Sequence, residues 1–100
     1  MRMITKTSEL EKACLEFAEA PYITVDTEFL RERTYWSQLC LVQIAKPGDE
    51  DGVLIDPLAV DIRALRRLFE SDVEAVFHAA QQDLDVLTHS VGSVPRRMFR

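Results

Sequence analysis

Hydrophobic and polar positions alternate along this chain with two periods, one helical and one extended. Met3 to Thr5 is a short apolar opening that reads as an edge strand. Ser8-Glu9-Leu10-Glu11 has the form of a capping box, with Ser8 at the N-cap and Glu11 three residues on. Leu10, Ala13, Cys14 and Phe17 recur at helical spacing and predict an amphipathic helix over residues 9–20, which Pro21 stops. Tyr22-Ile23-Thr24-Val25 is aromatic and β-branched, and predicts a strand running out into Asp26 and Glu28. A polar, arginine-rich connection follows over residues 30–37. Leu39 to Ala45 is almost continuously apolar, the pattern of a strand covered on both faces. Residues 46–52 read as a turn and Val53-Leu54-Ile55 as the return strand, so the sheet holds at least two antiparallel pairs.

In the second half, Ile62, Leu65, Leu68 and Phe69 mark a helix over residues 61–70. Ala75-Val76-Phe77 is a short strand, and residues 80–90 form a helix whose buried face carries Leu84, Leu87 and Val91. The resulting order, β-α-β-β-β-α-β-α, predicts an α/β domain with a mixed sheet.

Composition narrows the class. At 100 residues and 47% hydrophobic, the chain is one domain with enough apolar surface for a core. No apolar stretch approaches the roughly 18 residues that span a bilayer, and the N-terminus turns polar at once, unlike a signal peptide. Cys14 and Cys40 sit among apolar neighbours and read as small buried residues, as expected in a reducing cytoplasm. The net charge of −5 disfavours a protein that coats nucleic acid, though not an enzyme that grips a few phosphates. The arginines are clustered even so, at Arg31 and Arg33, at Arg63, Arg66 and Arg67, and at Arg96, Arg97 and Arg100.

Three carboxylates carry the candidate chemistry. On a strand, positions i and i+2 share a face, so Asp26 and Glu28 point together while Thr27 points away. Asp83 lies on the predicted helix after His78. Together the three would present oxygen ligands to hard divalent cations, the arrangement of metal-assisted phosphoryl chemistry. Each has a bland alternative: a solvated strand end for the pair, and an exposed helix acid for Asp83. Asp85 lies two positions round the helix and reads as surface, as does His89. Asp49-Glu50-Asp51 lacks the ligand spacing of a calcium loop and reads as a solvated turn.

Four stretches in order bear a resemblance: Val25-Asp26-Thr27-Glu28-Phe29 with Arg31-Glu32-Arg33-Thr34-Tyr35; Gln38-Leu39-Cys40-Leu41-Val42-Gln43-Ile44-Ala45; Leu54-Ile55-Asp56-Pro57-Leu58; and Phe77-His78-Ala79-Ala80-Gln81-Gln82-Asp83-Leu84. Over essentially its whole length the chain resembles ribonuclease D, within the DEDD family of 3′-to-5′ exonucleases. The resemblance implies a ribonuclease H-like fold, a mixed β-sheet with helices on its faces. It implies that Asp26, Glu28 and Asp83 are three of the four acids that bind two divalent metals, Mg2+ or Mn2+. RNA would be the substrate, transfer RNA precursors and structured small RNAs among them, with nucleoside 5′-monophosphates released from the 3′ end. Phe29 and Leu30 match positions that pack against the terminal nucleotide, and His78 and Gln82 positions that line or brace the site. Arg31 and Arg33 fit phosphate contacts and, equally, solvated loop charge.

The family's last motif, a Tyr-x-x-x-Asp on a helix after the Asp83 stretch that carries the fourth acid and a water-positioning tyrosine, is not found after Asp83. The chain is therefore expected to be the N-terminal part of the exonuclease domain, stopping before the last strand and helices and before the helical RNA-binding domains. Two expectations follow: little or no activity alone, and self-association or marginal stability through apolar faces and an open edge. The competing readings are a non-catalytic module that binds nucleic acid or protein, and a metal-binding remnant with no function of its own.

Overall fold

Alternation along the central strand determines how the domain is layered. The computed structural model describes residues 2–30, 38–48, 52–78 and 80–99, with only the backbone of Phe29, Leu30, Gln38 and Ala80. Six strands form one sheet: β1 (Arg2–Ile4), β2 (Tyr22–Leu30), β3 (Gln38–Ala45), β4 (Val53–Ile55), β5 (Glu74–Phe77) and β6 (Arg97–Phe99). Their spatial order is β1-β4-β3-β2-β5-β6. β2 pairs antiparallel with β3 and parallel with β5, so both kinds of pairing meet on the central strand. β3 pairs antiparallel with β4, and both edges, β1 on β4 and β6 on β5, are parallel. The mixed α/β architecture is as expected. A sixth strand is present, although the sequence predicts a stop short of it; Arg96 N–H donates to Phe69 O at 2.8 Å and lays this last segment beside β5.

Three helices, α1 (Thr7–Ala18), α2 (Leu65–Glu70, preceded by a 3-10 turn at Ile62–Ala64) and α3 (Ala80–Val91), pack on one face of the sheet. That face carries Ile23 and Val25 of β2, Val42 and Ile44 of β3, Ile55 of β4, and Ala75 and Phe77 of β5. Leu10, Cys14 and Phe17 of α1, Leu65, Leu68 and Phe69 of α2, and Leu87 and Val91 of α3 close over it. Tyr22, Thr24, Asp26 and Glu28 alternate onto the opposite face and are exposed; Leu41, Gln43 and Ala45 of β3 are half-buried there. Among the described residues no helix covers this second face; the mixed sheet flanked by helices is as expected.

Two local readings of the sequence are corrected. The continuous apolar run of β3 does not reflect burial on both faces. Glu28 pairs with Leu41 and Phe29 with Leu39, so Cys40 is an extra residue in a bulge. The bulge switches the phase, and Leu39 and Val42, three apart, both point inward. The capping box at Ser8 does not form either. α1 begins at Thr7, its N-cap Lys6 has no side-chain bond, and the Thr7 hydroxyl instead accepts the Asp61 N–H at 2.9 Å. Gly52, at φ +68°, ends the β3–β4 turn where a Cβ would meet the Ile44 carbonyl at 2.6 Å.

Candidate active site

The register around β2 brings the predicted residues out at one end of the sheet. Val25 is level with Phe77 on one side, and Asp26 is paired with Gln43 on the other. Asp26 therefore emerges beside His78, which follows the last residue of β5. Asp26, His78, Gln43, Thr24 and Val76 line a concavity of about 420 Å3 on the uncovered face. Glu28 shares this face one pleat further along, immediately before the bulge. Bulges re-aim the side chains beside them.

Asp83 is placed differently. It lies in the first turn of α3 and is only 1% exposed. The Thr27 hydroxyl, itself buried, donates a hydrogen bond to Asp83 Oδ1. Thr27 continues the inward series Ile23, Val25, so it meets α3 on the covered side of β2 while Asp26 and Glu28 face the other way. These two are the buried polar or charged side chains among the described residues. Among the described residues no three His, Cys, Asp or Glu side chains are grouped so as to hold a metal ion. The expected meeting of Asp26, Glu28 and Asp83 over one spot is thus not formed in this arrangement, because Thr27 engages the third acid across the inner face.

The remaining predicted positions sort plainly. His78 is exposed and joins Asp26; Gln82 is exposed on α3 and does not line the concavity. The backbones of Phe29 and Leu30 extend β2 opposite Leu39 and Gln38, and their side chains lie outside the described residues. Arg31, Arg33 and the Asp49-Glu50-Asp51 turn also lie outside them. Asp85 is exposed and accepts from Gln81 Nε2 at 3.1 Å. Sequence reasoning misses two residues. Gln43 is the one polar residue in the apolar run of β3, and Thr27 is a polar residue in the inward phase of β2. Both signals stand in the alternation.

The donor set fits hard divalent cations in part: Asp26 and Glu28 are exposed oxygen donors on one strand face. A mixed sheet with an Asp-x-Glu pair on the uncovered face of its central strand, and helices packed on the other, defines a domain of ribonuclease H-like fold. The 3′-5′ exonuclease family profile matches residues 1–100. Ribonuclease D from Jannaschia sp. (strain CCS1) is 54% identical over 101 residues, covering 96% of this chain and 26% of that protein. The crystal structure of Escherichia coli RNase D, an exoribonuclease involved in structured RNA processing, superposes with a TM-score of 0.88 at 33% identity, covering 98% of this chain and 26% of that one. Brucella melitensis NrnC with bound Mg2+ superposes with a TM-score of 0.68 at 25% identity, over 98% of this chain and 46% of that one. The chain belongs to the 3′-5′ exonuclease family. It spans about a quarter of the length of the ribonuclease D relatives it matches.

Proposed function

We propose that this chain supplies the acid-bearing part of a ribonuclease D-type exoribonuclease that hydrolyses RNA from the 3′ end by two-metal chemistry. The observation that carries the reading is the shared outward face of Asp26 and Glu28 beside the His78 concavity. Asp26 and Glu28 would hold the divalent ions, Mg2+ or Mn2+, and Asp83 would join them on release from Thr27. When bound, the ions supply charge neutralisation for the attacking and leaving oxygens of an in-line displacement. His78, next to Asp26, offers a ring N–H toward a phosphate oxygen of the terminal nucleotide. Gln43 and Thr24 give polar contacts on the floor of the same concavity. Water's oxygen joins the phosphorus of the last phosphodiester and gives up a proton, the bond to the 3′ oxygen breaks, that oxygen takes up a proton to become the new 3′ hydroxyl, and a nucleoside 5′-monophosphate leaves.

Structured RNAs, transfer RNA precursors among them, are the proposed substrates, and the cytoplasm the proposed location. The 100-residue chain alone is proposed to be inactive, because no Tyr-x-x-x-Asp follows Asp83 in it. Self-association is proposed through the uncovered sheet face.

The test is digestion of a 5′-labelled RNA with magnesium or manganese, by this chain and by a form extended through Tyr-x-x-x-Asp. Stepwise 3′ shortening by the extended form, lost in Asp26→Ala, is expected. Shortening that survives Asp26→Ala and Glu28→Ala would overturn the reading. The observation that Asp83 is held by Thr27 favours one second reading, a non-catalytic RNA-binding module; metal-independent RNA binding with no digestion by the extended form would select it.

A further inference from the structure

On the helical side of the domain, away from the acids, a groove of about 480 Å3 runs between α1 and the segment of the 3-10 turn and α2. Its walls carry Lys12, Arg63, Arg66 and Arg67; Glu11 lies in the wall and Asp61 pairs with Arg63 beside it, so the groove keeps an excess of positive charge in a chain whose net charge is −5. Cys14, buried at its base, adds no charge: burial and the neighbouring Glu11 push its thiol up to about 11.

Two of the four cations are already oriented. Arg66 Nε donates to Val91 O at 2.7 Å, and its guanidinium lies over Gly92, where a Cβ would come within 2.5 Å of it. Gly92, at φ +79°, closes α3 and leaves room for that arginine. Arg63 is held by Asp61 through Nε and a second nitrogen, both at 3.0 Å. Those bonds use one edge of each guanidinium and leave further N–H groups free. Lys12 and Arg67 make no ion pair among the described residues. By contrast, Arg96 and Arg97 are matched with Asp72 and Glu74.

We propose that this groove is a phosphate-binding surface for the body of an RNA, remote from the 3′ end that enters the acid site. Guanidinium groups fixed at one edge meet phosphate oxygens with little ordering cost, the geometry in which arginine outperforms lysine. The groove and the acids lie on opposite faces of the sheet, so one RNA reaches both only by passing round the domain, as a folded RNA can. The identity of the polyanion rests on the proposed RNA substrate; the excess of positive charge does not.

The test is fluorescence anisotropy of a labelled RNA with the full chain in EDTA, where no digestion occurs. The double variant Lys12→Glu/Arg67→Glu is expected to weaken binding at least about tenfold. It should also flatten the salt dependence by about 0.7 in log–log slope for each phosphate it no longer neutralises. Lys12→Gln/Arg67→Gln gives a smaller loss in the same direction, and Glu11→Gln a gain. Arg97→Glu leaves the groove's contribution in place. Binding that is absent in the parent chain, or unchanged in a folded Lys12→Glu/Arg67→Glu variant, overturns the proposal. So does preference for polyglutamate over RNA, which would make the occupant an acidic protein segment. Absence of 3′ digestion by the form extended through Tyr-x-x-x-Asp, with binding retained, would instead fault only the catalytic reading.

Discussion

The two faces of the sheet are built from the same strands and do opposite work. On the inner face, Ile23, Val25, Val42, Ile44, Ile55, Ala75 and Phe77 are sealed under three helices. On the outer face the neighbouring positions carry Thr24, Asp26, Glu28, Gln43 and His78, exposed or half-buried. Every step of one residue along β2 crosses from the sealed core to the open face that carries the candidate acids. Carboxylates can stand close together on the outer face because water screens their repulsion. On the inner face a carboxylate persists only with a partner, and Asp83 has Thr27.

The strongest way to break this contrast is to truncate one large side chain on each face. Phe69 is 1% exposed at the centre of the helical layer. Phe69→Ala is expected to cost about 3–5 kcal/mol, a large fraction of the roughly 5–15 kcal/mol that holds a domain of this size together. Tyr22→Ala, on the outer face, is expected to cost under about 1 kcal/mol. Urea denaturation midpoints compare the two directly. Equal losses would mean that the outer face is covered in solution, and a concentration-dependent midpoint for the parent chain would identify a second copy as the cover.

A smaller effect comes from the inner face through pH. Burial is the main cause that raises the Cys14 thiol from 9.0 to about 11, with Glu11 adding to it. The neutral thiol is thus the form the fold favours. Its contribution is complete below about pH 9 and is lost as pH rises through about 11, a change of about 2–3 kcal/mol from one group. Cys14→Ala should remove that segment of the alkaline stability profile relative to the parent chain. If the two profiles run parallel from about pH 8 to about pH 11, Cys14 is not sealed under α2.

The polar pin between the layers should contribute less. Thr27→Val keeps the shape and deletes the hydroxyl that Asp83 accepts from, and is expected to cost about 1–3 kcal/mol. Thr27→Ser restores most of it, and Thr24→Val, on the outer face of the same strand, changes little. A loss for Thr24→Val as large as that for Thr27→Val would show that β2 is not phased as described.

The sheet's element order is legible in the sequence because β-branched runs, helical spacings and turn residues agree at each step. β4 and α3 follow directly from Val53-Leu54-Ile55 and from Leu84, Leu87 and Val91. The acids Asp26 and Glu28 are legible as a pair because period two is a property of one strand. What escapes are relations between elements. An apolar run such as Leu39 to Ala45 looks the same whether both faces are covered or a bulge at Cys40 resets the phase. Ser8 and Glu11 have the spacing of a cap, but the competing bond from the Asp61 amide to Thr7 joins residues 54 positions apart. Thr27 points away from the acids, as the period of the strand predicts. Its partner is hidden because nothing local to β2 says that the first turn of α3 lies beneath it.

The smallest effect on folding is expected where the largest effect on function is proposed. Asp26 and Glu28 are exposed and make no ion pair among the described residues, so Asp26→Asn and Glu28→Gln should shift stability by no more than about 0.5 kcal/mol. Removing a negative charge beside another carboxylate relieves repulsion, so the sign should be neutral to slightly stabilising. In a form extended through Tyr-x-x-x-Asp, either substitution should abolish 3′ digestion. Differential scanning fluorimetry and the digestion assay, run on the same preparations, separate the two faces. A variant that digests RNA normally would strip the outer face of its proposed chemistry. A variant that loses activity together with several kilocalories of stability would mean that Asp26 belongs to the fold. Unchanged stability with lost digestion is the outcome that only a functional outer face produces.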